Sequence, residues 1–448
     1  MKRNIYLFVF IALFSSSCLE FDTEGDIVTK KEALNSADDL KAVLNSCYDE
    51  FTNIMNGTVQ GAHELLGDHL AEPPSGAITE VTIFNRSTIS FRTADRIIRD
   101  LYNCIYRLHV FTENLDLFAD ELNVSQLTAE AYFLRAYCHW ELVKLWAQPY
   151  GYTENNNHPG VAIRLKSAYE VKERSTVAEV YAQIIKDLEY SLQNLPEENG
   201  VYADKEAALG LLSKVYFTMN DFEKTIQYSA QVLSNGIHYM ADSLDFFTSN
   251  HMGEGIFISS STSASTDNRS RVFTQGYQGL PPTMRPSRLA YDLFADTADA
   301  RNAWLEIVDE GQPNESFLCN RFKKTFFNIP LVSATELALN HAEAALISEN
   351  TDALNVAIQN INFIRKRAYG SSIADLDATT LTLEEIRKER TRELAFTGDR
   401  TTQLKRRGVL GESINIRGAS WDCNGMVLQF PASDNTTNHG LNPEGGCN

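Results

Sequence analysis

The chain has 448 residues, 43% hydrophobic and 22% charged, a balance that argues against wholesale disorder. Lysine and arginine number 40 against 59 aspartate and glutamate, leaving a net charge of −19. A surface this acidic repels phosphate backbones and argues against nucleic acid as a partner.

Lys2 and Arg3 precede an apolar run from Ile5 to Phe14, followed by three serines and Cys18. A basic start, a short apolar stretch and small residues are the pattern of an export signal. The run is too short to cross a bilayer, and no run of 18 or more apolar residues occurs elsewhere. A Cys directly after the small residues resembles a bacterial lipoprotein signal, with residues 1–17 removed and Cys18 lipidated. Ser15 stands where a larger apolar residue is usual. An ordinary secretory signal with Cys18 incidental is the alternative. Residues 18–35 carry Glu20, Asp22, Glu24 and Asp26 without helical or strand period, and read as a solvated tether.

Residues 36–408 read as a mainly α domain of helices in pairs. Ser36 with Asp39 opens a helix to about Phe51, and Arg92–Ala119 is a long amphipathic segment. Gln126–Ala147 is apolar over so much of its girth that it must be covered on more than one side. Thr176 with Glu179 forms a capping-box pair for the next helix, which stops before Pro196. Helices over 203–219 and 221–234 follow, with Asn220 between them. This stretch, AALGLLSKVYFTMNDFEKTIQYSAQVL, looks like a tetratricopeptide repeat, with Tyr216 buried between its helices. A looser copy runs from Leu331 to Arg367. The pairs are 36–119, 126–195, 203–234 and 331–368. Long loops at 52–91, 148–175 and 236–330 interrupt them, and connections this long are usually functional. Residues 409–448 form an irregular C-terminal segment expected to pack on the domain.

Apart from Cys18, the six cysteines are widely spaced and form no zinc or redox motif. Cys104 and Cys138 fall in helical patterns and read as small core residues. Cys423 and Cys447 could pair, but spacing does not fix connectivity.

Four separated segments stand out: EAYFLRAYCHWELVKLWAQPY (130–150), the repeat-like pair at 203–234, IPLVSATELALNHAEAAL joined to NINFIRKRA, and IRKERTRELAFTGDRTTQLKRRG (386–408). Together and in this order they resemble the SusD/RagB family, outer-membrane lipoproteins of Bacteroidetes that capture nutrients. The tail LQFPASDNTTNHGLNPEGG is similar to the family's closing stretch. Thr397, Thr401 and Gln403 depart from the family's usual Glu, Trp and Asp, so packing around Arg400 must differ. The resemblance implies a TonB-dependent barrel as partner, a glycan or peptide ligand, attachment to the membrane through the lipid alone, and no catalysis. A helical-repeat envelope scaffold without a small ligand is the competing reading.

No catalytic motif stands out, and no metal or cofactor is expected. His63-Glu64 and His69 are spaced i and i+6, wrong for HExxH, and read as a surface turn. Glu389, Arg390, Glu393 and Arg400 read as framework ion pairs rather than a catalytic cluster. A sugar offers an apolar C–H face and many hydroxyls, so its site needs exposed aromatics and planar polar groups. The long loops supply Asp68, Phe84, Arg86 and Phe91 in the first, and Tyr277, Arg285 and Trp304 in the third. The resemblance implies ligand contacts from these same regions. Tyr277 and Trp304 are the stronger stacking candidates, since Phe84 and Phe91 are apolar enough to be core. The lack of Trp in the first loop keeps peptide as an alternative ligand.

Overall fold

The computed structural model describes residues 34–87, 92–168, 172–248, 253–260, 271–279, 282–324, 326–431 and 440–447. The leader, Cys18, nearly all of the tether and Phe91 lie outside the described residues.

Helix α1 (Ala37–Ile54) starts where Ser36 accepts the Asp39 N–H at 3.1 Å, satisfying a donor that a helix start leaves open. It buries Leu40, Leu44, Cys47, Tyr48 and Phe51 along one stripe. The stretch expected as a loop folds instead into α2 (Thr58–Leu66) and α3 (Ile78–Phe84). All but the first residue of α2 are buried, so His63 and Glu64 lie inside the molecule and not on a surface turn. Apolar Val59, Ala62, Leu65 and Leu66 pull that turn of chain inward.

Helix α4 (Arg92–Thr112) packs on α1, and α5 (Val124–Trp146) packs on α4, on α1 and on α6 (Val177–Asn194). Contact on several sides is what the apolar girth of α5 requires, and Phe133, Tyr137, Cys138, Trp140 and Trp146 are all buried. Thr176 and Glu179 exchange both bonds of a capping box at the start of α6.

Helices α7 (Lys205–Thr218) and α8 (Phe222–Ser234) form the next pair. Asn220 turns the chain with φ +61°, and Asp221 caps α8. Tyr216 stacks on Tyr228 at 5.5 Å with the rings 7° from parallel.

Residues 236–330 are more ordered than an irregular insertion. They contain β1 (Gly255–Ser259), α9 (Arg271–Gln278), α10 (Arg288–Leu293), the antiparallel hairpin β2 (Leu305–Val308) with β3 (Ser316–Cys319), and the start of β4 (Ile329–Ser333). Strand β1 pairs antiparallel with β4, which leads directly into α11 (Ala334–Ile347). Phe246, Phe247, Phe273, Phe322 and Phe327 pack on one another and extend the main hydrophobic core into this part.

Helix α11 packs on α8, on α12 (Thr351–Tyr369) and on α13 (Leu383–Glu393). Helix α14 (Asp399–Val409) returns to α2. The C-terminal segment then makes a short hairpin, β5 (Asn415–Ile416) with β6 (Ala419–Ser420), and a Cys423–Cys447 disulfide. Cys47, Cys104, Cys138 and Cys319 are buried thiols.

The framework pairs form as expected. Arg301, fully buried, meets Asp299 at 2.7 Å, Glu389 at 2.9 Å and Glu393 at 3.0 Å. Arg390 holds Asp399 at 2.6 Å. Buried charges of this kind persist because each has a partner.

Candidate ligand-binding site

The first and third loops meet. Ser287 Oγ donates to the Asp68 carbonyl at 2.8 Å, and the Ala71 N–H donates to the Arg285 carbonyl at 2.8 Å. Asp68 takes a bidentate pair of bonds from Arg400 at 2.7 and 2.9 Å. Burial alone would raise the Asp68 carboxyl, but the Arg400 bonds and charge outweigh it and hold it below the usual range. Arg86 is buried with φ +52°, its guanidinium reaching the Leu66 carbonyl. Phe84, half-buried, lies under the guanidinium of Arg417 at 3.8 Å. Arg417 also donates to the carbonyls of Gly67 and Leu65.

Asp68, Phe84, Arg86 and Arg285 therefore gather around residues 65–71. Asp68, Phe84 and Arg86 are engaged through their side chains and Arg285 through its backbone carbonyl, its Nε being buried without a partner, so this cluster ties the loops together. Tyr277 and Trp304 are not part of it, and their expected stacking role is corrected. Tyr277 is 1% exposed and packs against Phe322 and Phe396. Trp304 is 8% exposed, against Phe294 and the Arg321 guanidinium at 4.2 Å. The insertion folds its aromatics inward because they extend the main apolar core, where leaving water is favourable.

The substituted family positions found local partners. Thr401 Oγ1 donates to the His63 carbonyl, Thr397 Oγ1 to the Leu394 carbonyl, and Gln403 Nε2 to Glu343 at 3.0 Å.

The His63–Glu64 stretch is structural. His63 Nε2 lies 3.1 Å from Glu141, and Glu64 accepts the Gly398 N–H at 2.8 Å. Burial pushes the Glu64 carboxyl up to about 8 and the His69 imidazole down to about 3. Among the described residues no group of three His, Cys, Asp or Glu is placed to hold a metal ion.

An interior cleft of about 860 Å³, counted to its open mouth, is lined by Trp140, Glu141, Lys144, Lys214, Glu336 and Asn340 among others. Its charges pair internally: Lys144 with Glu141 at 2.8 Å and Lys214 with Glu336 at 2.9 Å. Lys144 also lies 3.5 Å over the Trp140 ring. The cleft mixes apolar side chains such as Phe246, Phe247 and Leu331 with these paired charges, and the Asn340 Nδ2 that lines it has no hydrogen-bond partner.

A stacking surface occurs elsewhere, in residues that sequence reasoning passed over. Tyr152 is 41% exposed and meets the half-buried Trp421 edge-to-face, centroids 6.4 Å apart. His158 also meets the Tyr152 ring edge-to-face, at 5.2 Å, and is fixed by Thr153 Oγ1 and the Gln148 carbonyl. Gln148 Nε2 donates to the Asp422 carbonyl at 2.9 Å, tying the two loops together. Trp421 rests on Gly408, where a β-carbon would stand 2.3 Å from its ring. Asn157 and Glu154 are exposed beside it in sequence and offer hydrogen-bonding groups. An exposed tyrosine fixed against a half-buried indole, with an amide and a carboxylate exposed nearby, is a combination that suits a sugar. The only signal in the sequence was an aromatic inside PYGYTENNNHPG, whose partner lies about 270 residues on.

Comparison with known proteins gives one consistent result. The family described as "Starch-binding associating with outer membrane" matches residues 21–217, and the SusD family matches residues 324–438. Two SusD-like proteins of Formosa agariphila are 23% and 27% identical over 272 and 246 residues, covering 56% and 52% of this chain. The chain spans about half the length of these curated relatives, 49% and 47%. A SusD superfamily protein from Bacteroides vulgatus matches with TM-score 0.77 at 20% identity, over 91% of this chain and 98% of that one. A structure described as a laminarin-binding SusD-like protein matches with TM-score 0.69 at 20% identity, over 91% and 99%. At such identity the likeness is one of fold.

Proposed function

The chain belongs to the SusD/RagB family, and from that premise we propose that it is a glycan-binding lipoprotein of the outer-membrane surface. The observation that carries the reading is the Tyr152–Trp421 pair, with Tyr152 exposed, Trp421 half-buried and supported by Gly408, and Asn157 and Glu154 exposed close to Tyr152 in sequence. A similar fold whose description names laminarin as its ligand supports the class of ligand. Cys18 carries the lipid in this reading, and residues 18–35 hold the domain off the bilayer. Burial of acyl chains at about 0.8 kcal/mol per methylene anchors a multiply acylated Cys firmly. The protein hands its glycan to a TonB-dependent barrel and performs no chemistry on it.

Calorimetry with maltoheptaose, laminarin oligosaccharides and a mixed peptide panel tests the ligand class. Binding of a glycan, weakened by about 0.5–1.5 kcal/mol in Tyr152→Ala or Trp421→Ala, is the expected result. Binding of peptides alone would move the protein to the peptide-binding reading. No binding by any probe would favour a scaffold. Cys18→Ala should release the protein from membranes, and in-cell cross-linking should recover a barrel protein.

A further inference from the structure

A second groove of about 790 Å³, counted to its open mouth, runs along α5 and α6 and shares no lining residue with the cleft or the Tyr152–Trp421 surface. Its floor is a buried ion pair. Arg135 grips Asp187 through two bonds of 2.8 and 2.6 Å, and both side chains are almost fully buried. Gln183 Nε2 adds a third bond to Asp187 at 2.7 Å. The floor is therefore rigid and has little net charge to offer.

Above it stand two half-buried tyrosines, Tyr132 from α5 and Tyr190 from α6, with ring centroids 5.2 Å apart and tilted by 54°. The Arg135 guanidinium sits 4.0 Å from the centre of the Tyr132 ring and holds it in place. The rim carries Lys186, Glu189, Gln193 and exposed Leu165. On α6, positions 183, 186, 187, 190 and 193 follow the three-and-four spacing by which a helix normally faces a neighbour. Here Asp187 is covered by Arg135 while Lys186 and Gln193 are exposed and Gln183 and Tyr190 half-buried, so the stripe presents tyrosine, amides and charge to the groove.

The chemistry selects among ligands. An anion would need uncompensated positive charge, yet Lys186 stands beside Glu189 and Arg135 is neutralised by Asp187. An apolar helix would need a broad greasy face, and Leu165 is the only exposed aliphatic in the lining. Aromatic rings with amides and a balanced set of charges suit a neutral, hydroxyl-rich chain. We propose that this groove is a second saccharide subsite, binding a neutral oligosaccharide along α5 and α6. The inference rests on the glycan-binding reading and adds a site to it.

Titration calorimetry of the full folded domain with laminarihexaose and with maltoheptaose tests it. Wild type should bind the accepted probe at two sites. Tyr190→Ala and, separately, the surface change Gln193→Ala should weaken one site five-fold or more and leave the other unchanged. Tyr190→Phe should retain binding, and circular dichroism should show intact helices throughout. Tyr152→Ala with Trp421→Ala should leave the groove site as the one that remains. A stoichiometry of one in wild type, or unchanged isotherms in Tyr190→Ala and Gln193→Ala, overturns the groove and leaves the glycan reading standing. Failure of wild type to bind either probe or any glycan of the wider panel overturns both.

Discussion

The indole of Trp421 sits against the α-carbon of Gly408, on the last turn of α14, with no room for a methyl group between them. Gly408→Ala should push the ring away and lose its contact with Tyr152. Overpacking of this kind costs about 1–3 kcal/mol. The expected outcome is a lower denaturant midpoint together with weaker glycan binding and an altered near-ultraviolet spectrum. A variant with unchanged spectrum and affinity would show that the support is not needed.

Arg301 joins the insertion to α13 through Asp299, Glu389 and Glu393. Glu393 also holds Arg367 of α12 at 2.9 Å. Removing the guanidinium leaves three carboxylates facing one another out of water. Breaking a buried pair costs about 3–5 kcal/mol, and here Asp299 and Glu389 lose their closest partner and keep only Arg392, at 3.6 and 3.7 Å. Arg301→Ala should express poorly or melt far below wild type. Glu389→Gln removes one charge and keeps the shape, and should be much milder. Equal stability of all three proteins would sink this account.

Stability should depend on pH with two opposite limbs. Burial works to raise Glu343, but Arg406, Arg387 and Arg390 outweigh it and hold the carboxyl at about 2, against an ordinary 4.5. Lys144 and His63 likewise overcome burial and bring Glu141 to about 2. These two contribute stability that is complete above about pH 4.5 and is lost as pH falls toward 2. Glu64 has the other sign, because burial raises it to about 8. Its contribution is complete below about 4.5 and is lost as pH rises through 8. Thermal melts of Glu64→Gln should therefore lose less stability than wild type between about pH 4.5 and 8, with the acid limb retained. An identical alkaline limb would count against a buried, protonated Glu64.

The C-terminal segment is held covalently as well as by packing. The Cys423–Cys447 bridge closes a loop of 24 residues, and Gly425 leaves space for the Arg86 carbonyl that a β-carbon would meet at 2.3 Å. Replacing both cysteines with serine should cost about 2–4 kcal/mol if the whole loop order is lost. Limited proteolysis should then cut within 424–447 first. Resistance equal to wild type would mean that packing alone holds the segment.

The paired helices were legible because caps and apolar spacing are local signals. Ser36 with Asp39 and Thr176 with Glu179 sit within one turn of each other, and the structure forms both caps. The girth of α5 likewise announced a central helix. The placement of aromatics was not legible. Tyr277 lies among Gly and Pro and Trp304 follows a run of Asp, Ala, Arg and Asn, and both stretches read as solvent-facing loop. The phenylalanines at 246, 247, 273, 322 and 327 were the available sign that the insertion has a core to fill. Arg301 could not be matched to Glu389 and Glu393 because nothing local links residues some 90 apart. Tyr152 and Trp421 were missed for the same reason.

The end of α5 is finished by residues from far down the chain. The Leu428 N–H donates to the Leu145 carbonyl at 2.8 Å, Asn442 Nδ2 to the Trp146 carbonyl at 2.9 Å, and the Trp146 indole to the Gln429 carbonyl at 3.2 Å. A chain that emerges from its N-terminus must therefore hold its central helix open at one end while almost 300 more residues appear. Contacts of such long range form late and are costly to close. The helical stack is thus not a series of modules that can set one after another. Chains halted between 150 and 420 should be recovered as degraded fragments rather than as shorter folded proteins, so synthesis itself acts as a check that only complete molecules accumulate.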